Sequence, residues 1–555
     1  MTLSALPKWE ILPTSTRIVL SLAALALLAS PAEASASDRY VDNSGSDTAN
    51  DCQAPASPCA SIGHALAQAV STETVFVGGG SYNENVTLSG GISIVGGAFS
   101  GCGCTTTGAA IVDGGSNPAI TADATAAGAI TGLTIRSAAP AMSISGNVNV
   151  NHDVFDQGSS TGFLGTVVEV LDASPRIGDN VFSDPTPTDA QNGITSSSGA
   201  SMQVTNNSFS GYNEAILTGG ASTATPTISG NDIAGTHSAT GAGVGIGVIN
   251  GTAMIAGNRL HDPVYDPATQ STTGIAIFSV SASNPAADLT RNRVIGFRIG
   301  VSIEGTSGAL TMKDDLIAKS FGLGLFATDP LTDAGDDVTA TNVTIVDSID
   351  ATAHEIVLDH TTISLNSGIV GDKGVKVTSG GCTSNLFSRG PSTGDCTPFT
   401  TTASPMFVNA AANDYRLQGG SPLIDAGDPS DPGGGETDLD GDPRAMDGPD
   451  NGSCYETAPG AVVRDIGADE FNCPPNSKLT ANPHSTTTRR HVKFKFTADD
   501  PAATFACKID SRPFHSCSSP KRYTLGRGRH KFRVRAIDAQ RNADPTPAKK
   551  TFRII

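Results

Sequence analysis

Asp153-Val154-Phe155, Asn180-Val181-Phe182, Asn207-Ser208-Phe209, Asn231-Asp232-Ile233, Asn258-Arg259-Leu260, Asn292-Arg293-Val294 and Asp315-Leu316-Ile317 repeat one pattern. A polar residue, usually asparagine, precedes any residue and then a bulky apolar one. The separations are 27, 27, 24, 27, 34 and 23 residues. A second pattern, a small residue then an aliphatic one, interleaves with it: Gly193-Ile194, Ala215-Ile216, Gly245-Ile246, Gly274-Ile275, Gly300-Val301 and Gly324-Leu325. Two motifs sharing one drifting period mark a solenoid. A single coil of short strands cannot bury its inward face. Coils stacked about 4.8 Å apart can. The expected fold is all-β: a right-handed parallel β-helix running from about residue 74 to about residue 425. Phe155, Phe182, Phe209, Ile233, Leu260 and Val294 should point inward in one stack. The asparagines should sit at a bend, where they tolerate left-handed backbone and bond to neighbouring coils. Unequal spacing implies loops of varying length. The longest should lie in the 34-residue step and include His261-Asp262-Pro263-Val264-Tyr265-Asp266-Pro267.

Working outward, Ser61-Ile62-Gly63-His64-Ala65-Leu66-Ala67-Gln68-Ala69-Val70 carries apolar residues at helical spacing. A short helix there should cap the first coil, whose core would otherwise be open. Before it, Lys8 and Arg17 precede an apolar run from Ile18 to Ala29. The small-residue sites Ala32-Glu33-Ala34 and Ala34-Ser35-Ala36 follow. This is the pattern of a secretory signal peptide, and the run is short for a membrane span. The expected organisation is a signal peptide over 1–36, a β-helix with caps over 37–472 and an immunoglobulin-like β-sandwich over 473–555. An exported monomer with no membrane span in its mature form is expected. The only tryptophan, Trp9, falls in the leader.

Ten cysteines form local pairs: Cys52/Cys59, Cys102/Cys104, Cys382/Cys396, Cys454/Cys473 and Cys507/Cys517. In an exported chain this reads as disulfides. Charge is split along the chain. Residues 476–555 hold 18 Lys and Arg against 5 Asp and Glu, a balance of +13. The chain total is −19, so the remainder carries −32. Lys493 and Lys495, and Lys531, Arg533 and Arg535, alternate with apolar residues and should share one outer face. Such a face suits an anionic partner, either an acidic extracellular polymer or the acidic β-helix itself. Nucleic acid is not expected, because aromatics are not interleaved for base stacking.

Several stretches resemble known families. Tyr40-Val41, Pro58-Cys59-Ala60-Ser61-Ile62, Ala65-Leu66, Val75-Phe76-Val77, Gly80, Tyr82-Asn83-Glu84 and Gly96 resemble the start of pectate-lyase-like right-handed β-helix proteins. Ser404-Pro405-Met406-Phe407-Val408-Asn409, Asp414-Tyr415-Arg416-Leu417, Ser421-Pro422-Leu423-Ile424-Asp425-Ala426-Gly427-Asp428, Thr437-Asp438-Leu439-Asp440-Gly441-Asp442-Pro443-Arg444 and Asp465-Ile466-Gly467-Ala468-Asp469-Glu470-Phe471 resemble the tail of bacterial surface relatives, the choice-of-anchor Q group. Thr504-Phe505-Ala506-Cys507-Lys508-Ile509-Asp510, Phe514, Cys517, Tyr523 and His530-Lys531-Phe532-Arg533-Val534-Arg535-Ala536 resemble a bacterial immunoglobulin-like repeat, in an unusually basic copy.

A fold does not fix an activity. A glycosidase needs two carboxylates roughly 5–10 Å apart. A uronate lyase needs a base, often with calcium. Groups on neighbouring coils lie about one repeat apart in sequence. Asp288 and Asp314-Asp315 meet that spacing, with Arg291, Arg293, Arg298 and Lys313 nearby and Glu304 between them. Asp315 already occupies the asparagine position of the repeat. Asp438, Asp440 and Asp442 stand two residues apart, a spacing that suits calcium. The stretch is not an EF-hand: Gly441 is at the fourth position, and Pro449 stands where the bidentate glutamate belongs. Either calcium or a plain acidic turn fits. His64, His152, His237, His261, His354 and His360 form no metal-spaced pair, and no nucleophile or phosphate-loop fingerprint is present. The preferred expectation is an exported, non-catalytic β-helix for adhesion or carbohydrate contact. The alternative is a polysaccharide lyase or glycoside hydrolase working in a groove.

Overall fold

The computed structural model describes residues 38–555 except 98, 100–107, 138–139, 157–164, 185–190, 198–199, 220–223, 236–241, 263–270, 280–284, 306–307, 329–336, 350–353, 360, 373–374, 378–379, 389–398, 401–403, 429–434, 445–463, 472–473, 501 and 538–542. The leader, most of the long loop after His261 and the Cys102/Cys104, Cys382/Cys396 and Cys454/Cys473 pairs lie outside the described residues or side chains. No helix among the described residues is long and apolar enough to cross a membrane.

The body is a parallel β-helix with three ladders. The first runs from Arg39–Val41 through Asn149–Asn151 and Ala286–Thr290 to Gly380–Ser388. The second runs from Gly80–Tyr82 through Val154–Asp156 and Leu316–Ala318 to Phe399–Thr400. The third is a 12-stranded sheet from Val86–Leu88 to Val375–Val377. The coils thus begin earlier than residue 74 and stop before 425. The first strand is recruited onto the sheet ahead of the capping helix. From Phe407 the chain folds back as an antiparallel pair, Phe407–Asn409 with Asp414–Leu417. The predicted helix spans Ile62–Gln68. The Ser61 hydroxyl caps it by accepting from the His64 backbone N–H, and Ile62, Ala65 and Leu66 are buried.

A short bend joins the first two ladders in each coil, and here the repeat does its work. Residues in left-handed conformation occupy one position: Asp179, Asn206, Gly230, Gly257, Arg291 and Asp314. The next residue is the buried asparagine or aspartate of the motif. The Asn180 backbone N–H and side-chain amide both donate to Asn207 Oδ1 at 3.0 Å. Asn207 repeats this on Asn231, Asn231 on Asn258, and Asn258 on Asn292. Each amide also donates to the carbonyl of an earlier coil, as Asn180 does to Val150. The side-chain amides from Asn180 to Asn292 are thereby satisfied, which an apolar residue could not achieve. Asp315 closes the run, accepting from the Asn292 backbone and amide.

The apolar residue two places on points inward. Phe155, Phe182 and Phe209 stack with centroids 4.5 Å apart, and Ile233, Leu260, Val294 and Ile317 continue the line, all buried. Such ring pairs add about 0.5–1.5 kcal/mol each beyond area burial. Glycine is required on the third ladder at Gly274 and Gly300. A Cβ there would lie 2.3 Å from a methyl of Val294 or of Ile317.

The C-terminal residues form sheets of three and five strands, antiparallel except for the short edge strand Thr486–Thr487, which pairs parallel to Ala548–Ile554. Phe494, Phe496, Phe532, Val534 and Phe552 fill the layer between them, with Phe494 and Phe532 stacked at 3.9 Å. Cys507 and Cys517 are bonded across two neighbouring strands, and Cys52 is bonded to Cys59, as expected from spacing.

Candidate functional site

The described residues of 404–428, 435–444 and 464–471 pack against the outer face of the second ladder. Leu316, Ala318, Val346 and Ile369 face outward there and pack on Tyr415, Leu417, Leu423, Leu439, Ile466 and Ala468. Beneath this apolar patch lies a buried polar knot. Arg444 has no exposed surface. Its guanidinium donates to Asp314 Oδ1 at 2.6 and 3.0 Å, to Glu470 Oε2 at 3.1 Å and to the Ala468 carbonyl at 2.6 Å. Asp465 accepts from the Asp425 N–H at 2.7 Å, and its own N–H donates to Glu470. Burial raises the Asp465 and Glu470 carboxyls, and their mutual repulsion adds to the rise at Glu470. The Arg444 charge pulls both back. This knot is architecture: each donor and acceptor is spent inside it.

The sequence candidates disperse. Asp288 lies on the exposed side of the first ladder, Asp314 in the bend and Glu304 at the edge of the third ladder. A spacing of about one repeat converges only when both residues hold the same place in the coil, and these do not. Arg291 donates to Thr437, Arg298 to Ser271, and Lys313 is paired with Glu436. Asp315 serves the bend ladder. Burial pushes its carboxyl up to about 7.

The acidic turn divides as well. Asp438 is fully buried. It accepts from the backbone N–H groups of Asp440 (3.0 Å), Asp442 (2.7 Å) and Glu470 (2.8 Å). Asp440 is paired with Arg293. The three carboxylates do not meet within 4.8 Å of one another. The turn therefore fits calcium poorly: its first carboxylate already holds the backbone and its second an arginine. The three-donor cluster found among the described residues, Cys52, Cys59 and His64, has both sulfurs in a disulfide.

What sequence reasoning missed is a recess beside this turn, lined by both arginines and aspartates. A cavity of about 610 Å³ is lined by Arg259, His261, Arg293, Lys319 and Asn413 among others. A second, of about 170 Å³, continues from Arg293 to Arg416, Asp414, Asp440 and Asp469. The register sets Asp232, Arg259 and Arg293 in one row on successive coils. Most carboxylates here are engaged: Asp232 with Arg259, Asp414 with Arg416, and Asp440 with Arg293. Asp469 is 9% exposed and is pushed well above the usual carboxylate range, first by burial and then by the Asp438 charge. The x-Arg-x pattern after Asn258 and Asn292 was a legible signal, since the middle motif residue must face outward.

The outer row of the third ladder is chemically quiet by contrast. Thr87, Thr121, Ser143, Glu169, Thr195, Leu217, Gly247, Ala276, Ser302, Phe326, Val357 and Lys376 are in register. Glu169 is its one carboxylate, so the row holds no acid pair.

No protein-family model matches the chain, and no curated protein matches it. Among solved structures, a GH136 lacto-N-biosidase from Eubacterium ramulus, in its selenomethionine derivative, is similar over 62% of this chain and 67% of that one. The identity is 11% and the TM-score 0.28. Likeness at that level does not bear on activity.

Proposed function

We propose that this chain is an exported, non-catalytic β-helix protein of the choice-of-anchor Q type, presenting a rigid surface for carbohydrate contact outside the cell. The observation that carries the reading is the arginine-lined recess. Arg259, Arg293, Lys319 and Arg416 line adjoining cavities; the three arginines are ion-paired with Asp232, Asp440 and Asp414, so those carboxylates are held by cations and do not form the pair that a glycosidase would need. Arginine forks suit carboxylate-bearing or vicinally hydroxylated sugars. The leader pattern and the disulfides agree with an oxidising compartment. The test is a panel of uronate-containing and neutral glycans. Binding without product is expected, weakened about tenfold or more by Arg259→Gln with Arg293→Gln. Release of unsaturated or reducing-end products would favour the enzyme reading instead. That rival has one observation behind it: Asp469 lines the smaller cavity, and burial holds its carboxyl above the usual range, as a general acid requires. Products abolished by Asp469→Asn would establish it.

Calcium at Asp438, Asp440 and Asp442 would rest on their spacing alone. An ion there would have to displace Arg293 from Asp440 and backbone N–H groups from Asp438. Equal melting temperatures in EDTA and in millimolar calcium are therefore expected. A rise with calcium that Asp442→Asn removes would show that the turn binds the ion.

A further inference from the structure

The five-stranded C-terminal sheet turns one face to the sandwich core and the other to solvent. On the outer face Lys508 pairs with Arg533, and Arg533 pairs with Lys549, so three cations stand abreast on three neighbouring strands. Along the middle strand Arg529, Lys531, Arg533 and Arg535 alternate with buried Phe532 and Val534 and share that face. Cross-strand neighbours lie about 4.5–5.5 Å apart, and like charges directly opposite each other destabilise a sheet. No carboxylate among the described residues relieves this row: no ion pair is formed by Lys508, Lys531, Arg533 or Lys549. The nearest acid, Asp510, is spent on His530 and on the Lys531 backbone N–H. The charge of Arg533, then those of Lys549, Lys508 and Arg529, hold the Lys531 amine below its usual range. Phe514 braces the edge, with Lys508 Nζ 4.8 Å and the Arg535 guanidinium 4.5 Å from its ring centre.

A face that repels itself is stabilised by a partner of opposite charge. A linear chain of evenly spaced anions matches a row repeating at strand spacing. Double-stranded DNA fits less well, because the face offers no groove-entering element. Single strands lack a stacking platform, since both cations cover Phe514. We propose that this face, centred on the Lys508–Arg533–Lys549 row, is a docking surface for a linear anionic polysaccharide. The inference rests on the extracellular reading above for the source of that polymer, but on different residues.

The test compares the purified protein with a Lys508→Gln, Arg533→Gln, Lys549→Gln variant on immobilised polygalacturonate, amylose and duplex DNA. The wild type should be held on polygalacturonate at low salt and released as salt rises, because screening removes the attraction. The variant should elute at clearly lower salt, with apparent affinity down tenfold or more and an unchanged or raised melting temperature. Co-elution of the two proteins, or no retention of the wild type at low salt, would overturn the proposal. So would tighter retention on DNA than on polygalacturonate. Salt-sensitive self-association without polymer binding would assign the face to the acidic body of a second copy. Binding carried by Arg259 and Arg293 would be untouched by this variant, so failure of one surface does not read as failure of the other. If the triple variant is poorly folded, Arg529→Gln with Lys531→Gln gives the same readout from the same face.

Discussion

Replacing Arg444 with methionine should cost about 3–5 kcal/mol and should release residues 404–471 from the β-helix before the coils themselves melt. The side chain has no exposed surface and bridges Asp314, in the bend of one coil, to Glu470 in the packed segment. Methionine fills much of the volume but leaves two carboxylates buried without their cation. Asp438, whose charge also bears on Arg444, stays nearby. Burial already raises Asp314 and Glu470, and without Arg444 both should rise further. A group whose folded pKa is raised contributes stability below its unfolded pKa and loses it as pH rises through the folded one. The deficit of the variant should therefore be smallest in acid and grow as pH rises through the folded pKa values, which for Glu470 means toward about 9. Arg444→Lys should fall between, keeping the charge but not the fork. Because a solenoid opens locally, hydrogen exchange is the decisive readout. Residues 438–444 and 465–470 should lose protection while 176–183 and 203–210 keep theirs. Equal protection in both proteins would refute the role.

The contrast between this knot and the bend ladder explains what was readable in the sequence. Asn207 and Phe209 announce themselves because the next coil needs the same residue types at the same place, so the pattern recurs with the coil. Arg444 has no such echo. Its partner Asp314 is 130 residues away. A lone arginine after an acidic turn reads as a solvated charge until the fold brings the two together. The acidic turn shows the other limit. The spacing of Asp438, Asp440 and Asp442 was visible, but not that Asp438 turns inward to hold backbone N–H groups. Asp288, Glu304 and Asp314 fail for a geometric reason: a coil has three faces, and one repeat of separation brings together only equivalent positions. The arginine-lined recess falls between these cases. Arg259 and Arg293 could be placed outward from the motif, whereas Arg416 and Asp469 join them only because the chain folds back.

Asp153→Asn should raise stability by roughly 3–4 kcal/mol at pH 7 and change it little at pH 4. Asp153 begins the bend ladder in the place that Asn180, Asn207, Asn231, Asn258 and Asn292 fill in later coils. Its Oδ1 accepts from the Leu133 N–H at 2.8 Å, but its Oδ2 is buried with no partner. Burial pushes its carboxyl from 3.8 up to about 8, with that one hydrogen bond pulling the other way. At neutral pH the folded chain must hold a proton that the unfolded chain releases. The contribution is intact below pH 4 and is lost as pH climbs toward 8. Asparagine needs no proton. Val150 is in register with Ile130, so the new amide should donate to the Ile130 carbonyl as Asn180 does to Val150. Asp315, at the other end, titrates in the same direction but keeps three donors, so the substitution there should gain less. Thermal melts of both single variants from pH 4 to pH 8 check the pair. A wild-type stability that falls with pH, and an Asp153→Asn curve that is flatter and higher only on the alkaline side, is the expected result. Parallel curves would mean that Asp153 reaches water or a partner that the buried bend does not provide.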